Sequence, residues 1–311
     1  MKRRIRTVFT IIGIGGLLII IGILMGGNVK KTFYDNGYLD EGWCMDKEEL
    51  SMDNENTSSA LSTHTNETQL ISDASVLKQL KADVSYAALR IEPHDKQSIA
   101  YSITNNTKRI GASVQIDGDT LVISTKKNHT WSWPFGWKGD RLGRSKTTIT
   151  VKIPQNTLFD TVDINTGAAS LTLDGFTATQ RFILNTGAGE VNINNITASN
   201  VNIKTGVGET VFRNCSFTDT EMHTGVGETV FDGKIFQNLE IHAGIGEIDM
   251  RINGKKDDYA IDITSGIGSV SVNGASGSGL MGNIVKENQR TALHTIEVKA
   301  GIGEVNINFT E

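Results

Sequence analysis

The 311-residue sequence contains no G-x-S-x-G, H-E-x-x-H or phosphate-loop phrase, so no familiar catalytic motif marks it as an enzyme and none calls for a cofactor. It has only two cysteines, Cys44 and Cys215, too few for a disulfide framework. A bond between them is chemically open outside the cell, but nothing else ties their segments together, and we read two unpaired thiols. A basic surplus is also missing. The net charge is −5, and because Lys2, Arg3, Arg4 and Arg6 cluster at the N-terminus, the remainder carries −9. An acidic remainder argues against nucleic acid or anionic lipid as its main partner. Helical spacing of apolar residues is poor through the C-terminal half, and the Gly and Asn content penalises helix further.

That half holds seven near-copies of one phrase: INTGAASL, LNTGAGEV, IKTGVGET, MHTGVGET, IHAGIGEI, ITSGIGSV and VKAGIGEV. Their first glycines are Gly167, Gly187, Gly206, Gly225, Gly244, Gly266 and Gly301, spaced by 20, 19, 19, 19, 22 and 35 residues. With that glycine as position zero, apolar residues recur at position minus three (Ile164 to Val298), plus one (Ala168 to Ile302) and plus six (Leu173 to Ile307). Polar residues fill most of the gaps, as in half-buried strands, and all three columns are expected inside. The glycines at positions zero and two predict a corner or bulge, with φ > 0 available at no steric cost. A second turn signal follows each phrase, as at Asp174-Gly175, Asn194-Asn195 and Arg213-Asn214. The fold class is therefore all-β: a single β-solenoid of ~19–20-residue coils, each of two or three short strands, stacked on a shared apolar interior. Residues 77–103 read as degenerate coils that close its N-terminal end. The Gly/Ser-rich stretch from Asn273 to Thr295 is expected to leave the stack and return.

The N-terminus has a different character. Residues 1–7 form a short basic tail, and residues 8–27 are uncharged over twenty positions, long enough to span a bilayer as a helix. No convincing signal-peptide cleavage site follows, so an anchor is the better reading. The flanking basic cluster predicts a cytoplasmic N-terminus and an extracytoplasmic C-terminal domain. Residues 28–76 hold ten acidic residues and three lysines and read as an extended stalk, leaving 77–311 as the solenoid domain.

The phrase repeat, the entry KADVSYAALRIEP and the transition TTITVKIPQNTLFDTVDINTGAASLTL together resemble the bacterial putative-adhesin, or toastrack, family. The resemblance implies an extracytoplasmic β-solenoid at a bacterial cell surface, associated in some members with envelope-stress signalling. The family has no established catalytic residues to carry over.

Several constellations are candidates for function. Trp131, Trp133, Phe135 and Trp137 crowd one insertion, which either caps the rod or presents an aromatic tip to a ligand. Position three carries Glu190, Glu209, Glu228 and Glu247 and, after Ser269, Glu304. Such a column either splays into solvent, the usual state of exposed carboxylates, or shares a divalent cation. His223 and His242 should be stacked neighbours on an outer face, short of the three or four ligands zinc takes. Gly187, Gly206, Gly225, Gly244, Gly266 and Gly301 mark the repeat corners.

The organisation points to a non-enzymatic adhesion or binding module at the cell membrane, engaging an envelope protein or glycan. A sensor working with membrane partners in envelope stress is the alternative, and a polysaccharide-active enzyme a more remote one.

Overall fold

A computed structural model describes residues 68–71, 74–104, 111–126, 147–279, 283–287 and 292–310. The tail, the 8–27 span, Cys44 and the Trp131–Trp137 insertion lie outside these. Among the described residues no helix is long and apolar enough to cross a membrane.

Sixteen strands are described. In chain order they are β1 (Thr68–Ile71), β2 (Gln79–Val84), β3 (Ala88–His94), β4 (Ile99–Thr104), β5 (Ala112–Asp117), β6 (Thr120–Thr125), β7 (Thr148–Pro154) and β8 (Thr157–Ala168). Then come β9 (Leu171–Asp174), β10 (Phe176–Ala188), β11 (Val191–Asn194), β12 (Thr197–Asn253), β13 (Tyr259–Val272), β14 (Ala275–Gly279), β15 (Asn283–Glu287) and β16 (His294–Thr310). β12 is a ribbon that winds through successive coils without a break. The pairing between coils is parallel and in repeat register: Leu184 lies between Ile164 and Ile203, and Ile193 between Leu173 and Phe212.

Each repeat has three corners. The Gly-x-Gly phrase makes the first. The second is built on positive φ at Gly175 (75°), Asn195 (52°) and Asn214 (52°), the turn signals legible in the sequence. The third uses Asn200 (48°), Asp219 (50°) and Gln237 (60°), and it divides each coil into three sides. Asn and Asp accept left-handed backbone more readily than other side-chain-bearing residues. Amides bond from coil to coil at the corners: Asn195 Nδ2 donates to Asp174 Oδ1 (2.8 Å), and Asn214 Nδ2 to Asn195 Oδ1 (2.7 Å).

The interior is mainly apolar, with Thr147, Thr157, Thr166, Thr210, Thr220, Thr229 and Ser265 as the buried polar residues. Ile164, Leu184, Ile203, Met222, Ile241, Ile263 and Val298 are buried at position minus three. Phe159, Phe176, Phe182, Phe217, Phe212 and Phe231 interlock in sequence along the stack, with ring centroids 5.7 to 6.4 Å apart in edge, tilted and stacked pairs. Such pairs add about 0.5–1.5 kcal/mol each beyond area burial. Cys215 is buried here too and carries no disulfide, so its thiol belongs to the core.

The column at position plus one is not inside. Ile245, Ile267 and Ile302 are 44%, 50% and 47% exposed. The inward set is odd-numbered before the corner (minus three) and even-numbered after it (plus four and plus six), so the alternation slips by one residue within Gly-x-Gly. Position one sits on the slip.

The order of coils also departs from the order of the sequence, at both ends. β16 lies between the last turn of β12 and β13, with Ile302 beside both Ile245 and Ile267. β2 lies between β6 and β8, and β3 between β7 and β9. The coil of residues 79–94 is therefore one step inside the end, and the end coil is β6 with β7. Antiparallel strands complete both ends. β5 pairs β6, and β4 pairs β7 and is itself joined by β1; β14 and β15 pair β13. The Gly/Ser-rich excursion thus covers the free edge of the terminal coil, which would otherwise present unpaired backbone groups to other chains.

Candidate functional site

The glycine corner brings backbones unusually close. A Cβ on Gly206 would stand 2.1 Å from the carbonyl oxygen of Gly187. At position two, Gly227 has φ +144°, and its Cβ would stand 1.8 Å from the Gly208 oxygen. Both positions therefore require the absence of a side chain, for space at position zero and for space and backbone at position two. In the first repeat Ala169 replaces that second glycine, and its φ is not positive. Gly187, Gly206, Gly225, Gly244, Gly266 and Gly301 form the position-zero column.

A bare column leaves a furrow. An open groove of about 1090 Å³ runs beside it across seven adjacent coils, from Asp83 on β2 to Lys299 on β16. At ~4.8 Å per coil this is roughly 30 Å of length. Its floor is Gly at position zero and mostly Thr at position minus one. Its wall is position minus two: Asn165, Asn185, Lys204, His223, His242 and Lys299 in spatial order.

The wall groups are held by one another and by position minus four. Asn185 Nδ2 donates to Asn165 Oδ1 (2.8 Å), and Asn165 Nδ2 to Asp163 Oδ1 (2.9 Å). His223 and His242 stack with centroids 4.9 Å apart and planes 8° from parallel, as neighbours on an outer face should. Their Nε2 atoms lie 2.6 and 2.7 Å from Glu221 and Glu240. Lys299 Nζ lies 2.6 Å from Glu297 and 3.4 Å from Glu240. The hydrogen bond from His242, then that from Lys299, holds the Glu240 carboxyl below the ordinary carboxylate range. The bond to Glu297 raises Lys299. Beneath the floor, the hydroxyls of Thr166, Thr220 and Ser265 are buried and have no protein partner.

Beyond the corner stand Glu190, Glu209, Glu228, Glu247 and Glu304, all exposed. Because β16 is inserted, Glu304 directly follows Glu247, and Ser269 ends the column. Desolvation and the flanking Glu228 and Glu304 charges push the Glu247 carboxyl above its usual range. Among the described residues no group of three or more His, Cys, Asp or Glu side chains converges as a metal site. The aromatic candidates Trp131, Trp133, Phe135 and Trp137 lie outside the described residues. The groove itself was not expected from the sequence. Its signal was the polar residue at position minus two beside an invariantly bare position zero.

The site is thus an elongated, open groove with a wall of polar side chains on a repeat scaffold, the form of a binding surface. Residues 77–281 match the family model Toastrack DUF4097, and the chain belongs to that family. No curated protein matches the chain. Similar solved structures include a putative cell adhesion protein from Clostridium sporogenes (13% identity, 79% of this chain and 99% of that one, TM-score 0.31). Others are a putative adhesin from Bacteroides fragilis (10%, 79% and 98%, TM-score 0.39) and a putative lipid binding protein from Parabacteroides distasonis (14%, 80% and 98%, TM-score 0.34).

Proposed function

We propose that the protein is a non-enzymatic binding and adhesion module of the cell envelope. Residues 8–27 anchor it as a single span, the acidic segment from 28 forms a stalk that ends before β1, and the solenoid beyond it is displayed outside the membrane. The observation that carries the binding role is the groove, one continuous track over seven coils with polar side chains along its wall. A rigid stack holds its wall groups at fixed spacing, so an extended ligand meets them without ordering the protein first, which is the advantage of preorganisation. The uncharged twenty-residue segment behind four basic residues supports the anchor and its orientation. Toastrack membership is consistent with a binding role. Protease treatment of intact protoplasts tests the display: it should remove the solenoid and leave a small N-terminal fragment, and complete protection of the chain would contradict the orientation.

A further inference from the structure

We infer that the groove takes an extended, neutral, polyhydroxylated chain, a glycan strand laid along the coil axis; this rests on the binding role proposed above. Three features of the groove lead there.

The first is shape. The track is open and spans seven coils, so it suits a polymer lying along it and offers little enclosure to a small molecule. Pockets for small ligands enclose most of the ligand surface. The floor of Gly and Thr lets a chain approach the backbone closely.

The second is hydrogen-bonding character. A carboxylate only accepts, so Glu221 and Glu240 hold a proton on the Nε2 of His223 and His242. In the neutral ring that leaves Nδ1 as an acceptor in each. Asn185 spends one donor on Asn165 and keeps its own carbonyl oxygen. Lys204, between Asn185 and His223, supplies only donors. Along the track acceptors and donors alternate irregularly. A hydroxyl group answers either kind, because it donates and accepts; a phosphate or carboxylate ligand only accepts.

The third is charge. The lysines and histidines of the wall do not make a cationic stripe, because Glu221, Glu240 and Glu297 stand beside three of the four. Lys299 is tied to two of those carboxylates. A polyanion would be met mainly by Lys204, with the neighbouring glutamates against it.

The test is affinity electrophoresis and calorimetry of the full chain in detergent micelles. The neutral probes are cello-, chito- and manno-oligosaccharides of two to six sugars; the anionic probes are polygalacturonate and poly(glycerol phosphate). At least one neutral series should bind, with the hexasaccharide tenfold or more tighter than the disaccharide, as expected when several successive coils contribute. Lys204→Ala should weaken it about tenfold, as should His242→Phe, which keeps a stacking ring and removes the acceptor, each by about one lost hydrogen bond. Binding of the anionic probes alone would overturn the inference, as would equal affinity for disaccharide and hexasaccharide. The same protein is then sedimented with isolated envelopes. Binding there without any neutral-glycan binding sinks the ligand class and leaves the adhesion role standing; no binding to either sinks both.

Discussion

At the residue scale, the glycine corner is the least replaceable part of the chain. Gly227→Ala adds a Cβ 1.8 Å from a backbone oxygen and strains φ at +144°, so it should cost about 3 kcal/mol or more in denaturant unfolding. Gly118→Ala is the control: it has positive φ but open space, and should cost about 1 kcal/mol. Ile203, 1% exposed, and Ile245, 44% exposed, separate the interior from the corner. Ile203→Asp buries an unpaired carboxylate and should destabilise by about 4 kcal/mol or more, whereas Ile245→Asp should stay within about 1 kcal/mol. Equal melting of the two variants would contradict the slip of alternation at the corner. The Glu column gives a pH signature. With the folded-state value of Glu247 raised, folding favours its protonated form. Its contribution is therefore present below the unfolded carboxylate range and is lost as pH rises through the folded value. Glu247→Gln should be neutral or stabilising by at most about 1 kcal/mol at neutral pH, since the site is solvent-screened, and the gain should vanish as pH falls through the carboxylate range. A thermal melt series from pH 4 to 8 reads this directly, and loss of stability in the variant at neutral pH would count against it.

At the element scale, the insertion of β16 between β12 and β13 is the feature with most consequence. Its removal leaves both neighbours without a parallel partner on that side, whereas β8 and β10 are several coils away. Stability in such stacks is close to a sum of neighbour terms. Deleting residues 294–310 should therefore strip hydrogen-exchange protection from the last turn of β12 and from β13 together, while β8 and β10 keep theirs. Persistent protection of β13 would show that β14 and β15 suffice to hold it. The solenoid, its period, the minus-three and plus-six core columns and two of three corners were legible because each recurs at a fixed interval. The insertions were not, because coils that repeat one phrase carry no mark of which neighbour they choose; the 35-residue interval before Gly301 was the only hint. The third corner was missed because Asn200, Asp219 and Gln237 share no turn dipeptide. Position one misled because strict alternation was carried through a glycine pair that breaks it. The stacking of His223 on His242 followed from register alone, whereas the groove depends on what is absent at position zero, which a reading of side chains passes over.

At the scale of the whole molecule, the solenoid unit has antiparallel strands over both end coils and one continuous groove along one side, a surface that suits a long ligand. Its interior supplies the stiffness: the phenylalanine run links coil to coil, and the Cys215 thiol within it, pushed up to about 11 chiefly by burial, stays protonated and closed to reagents while the fold is intact. The account stands most directly on the groove. Sedimentation of the full chain with isolated envelopes, wild type beside a Lys204→Glu, His223→Ala, His242→Ala triple variant of unchanged melting temperature, measures it. The account predicts at least a tenfold loss of envelope binding in the variant; binding equal to wild type would show that another surface makes the attachment.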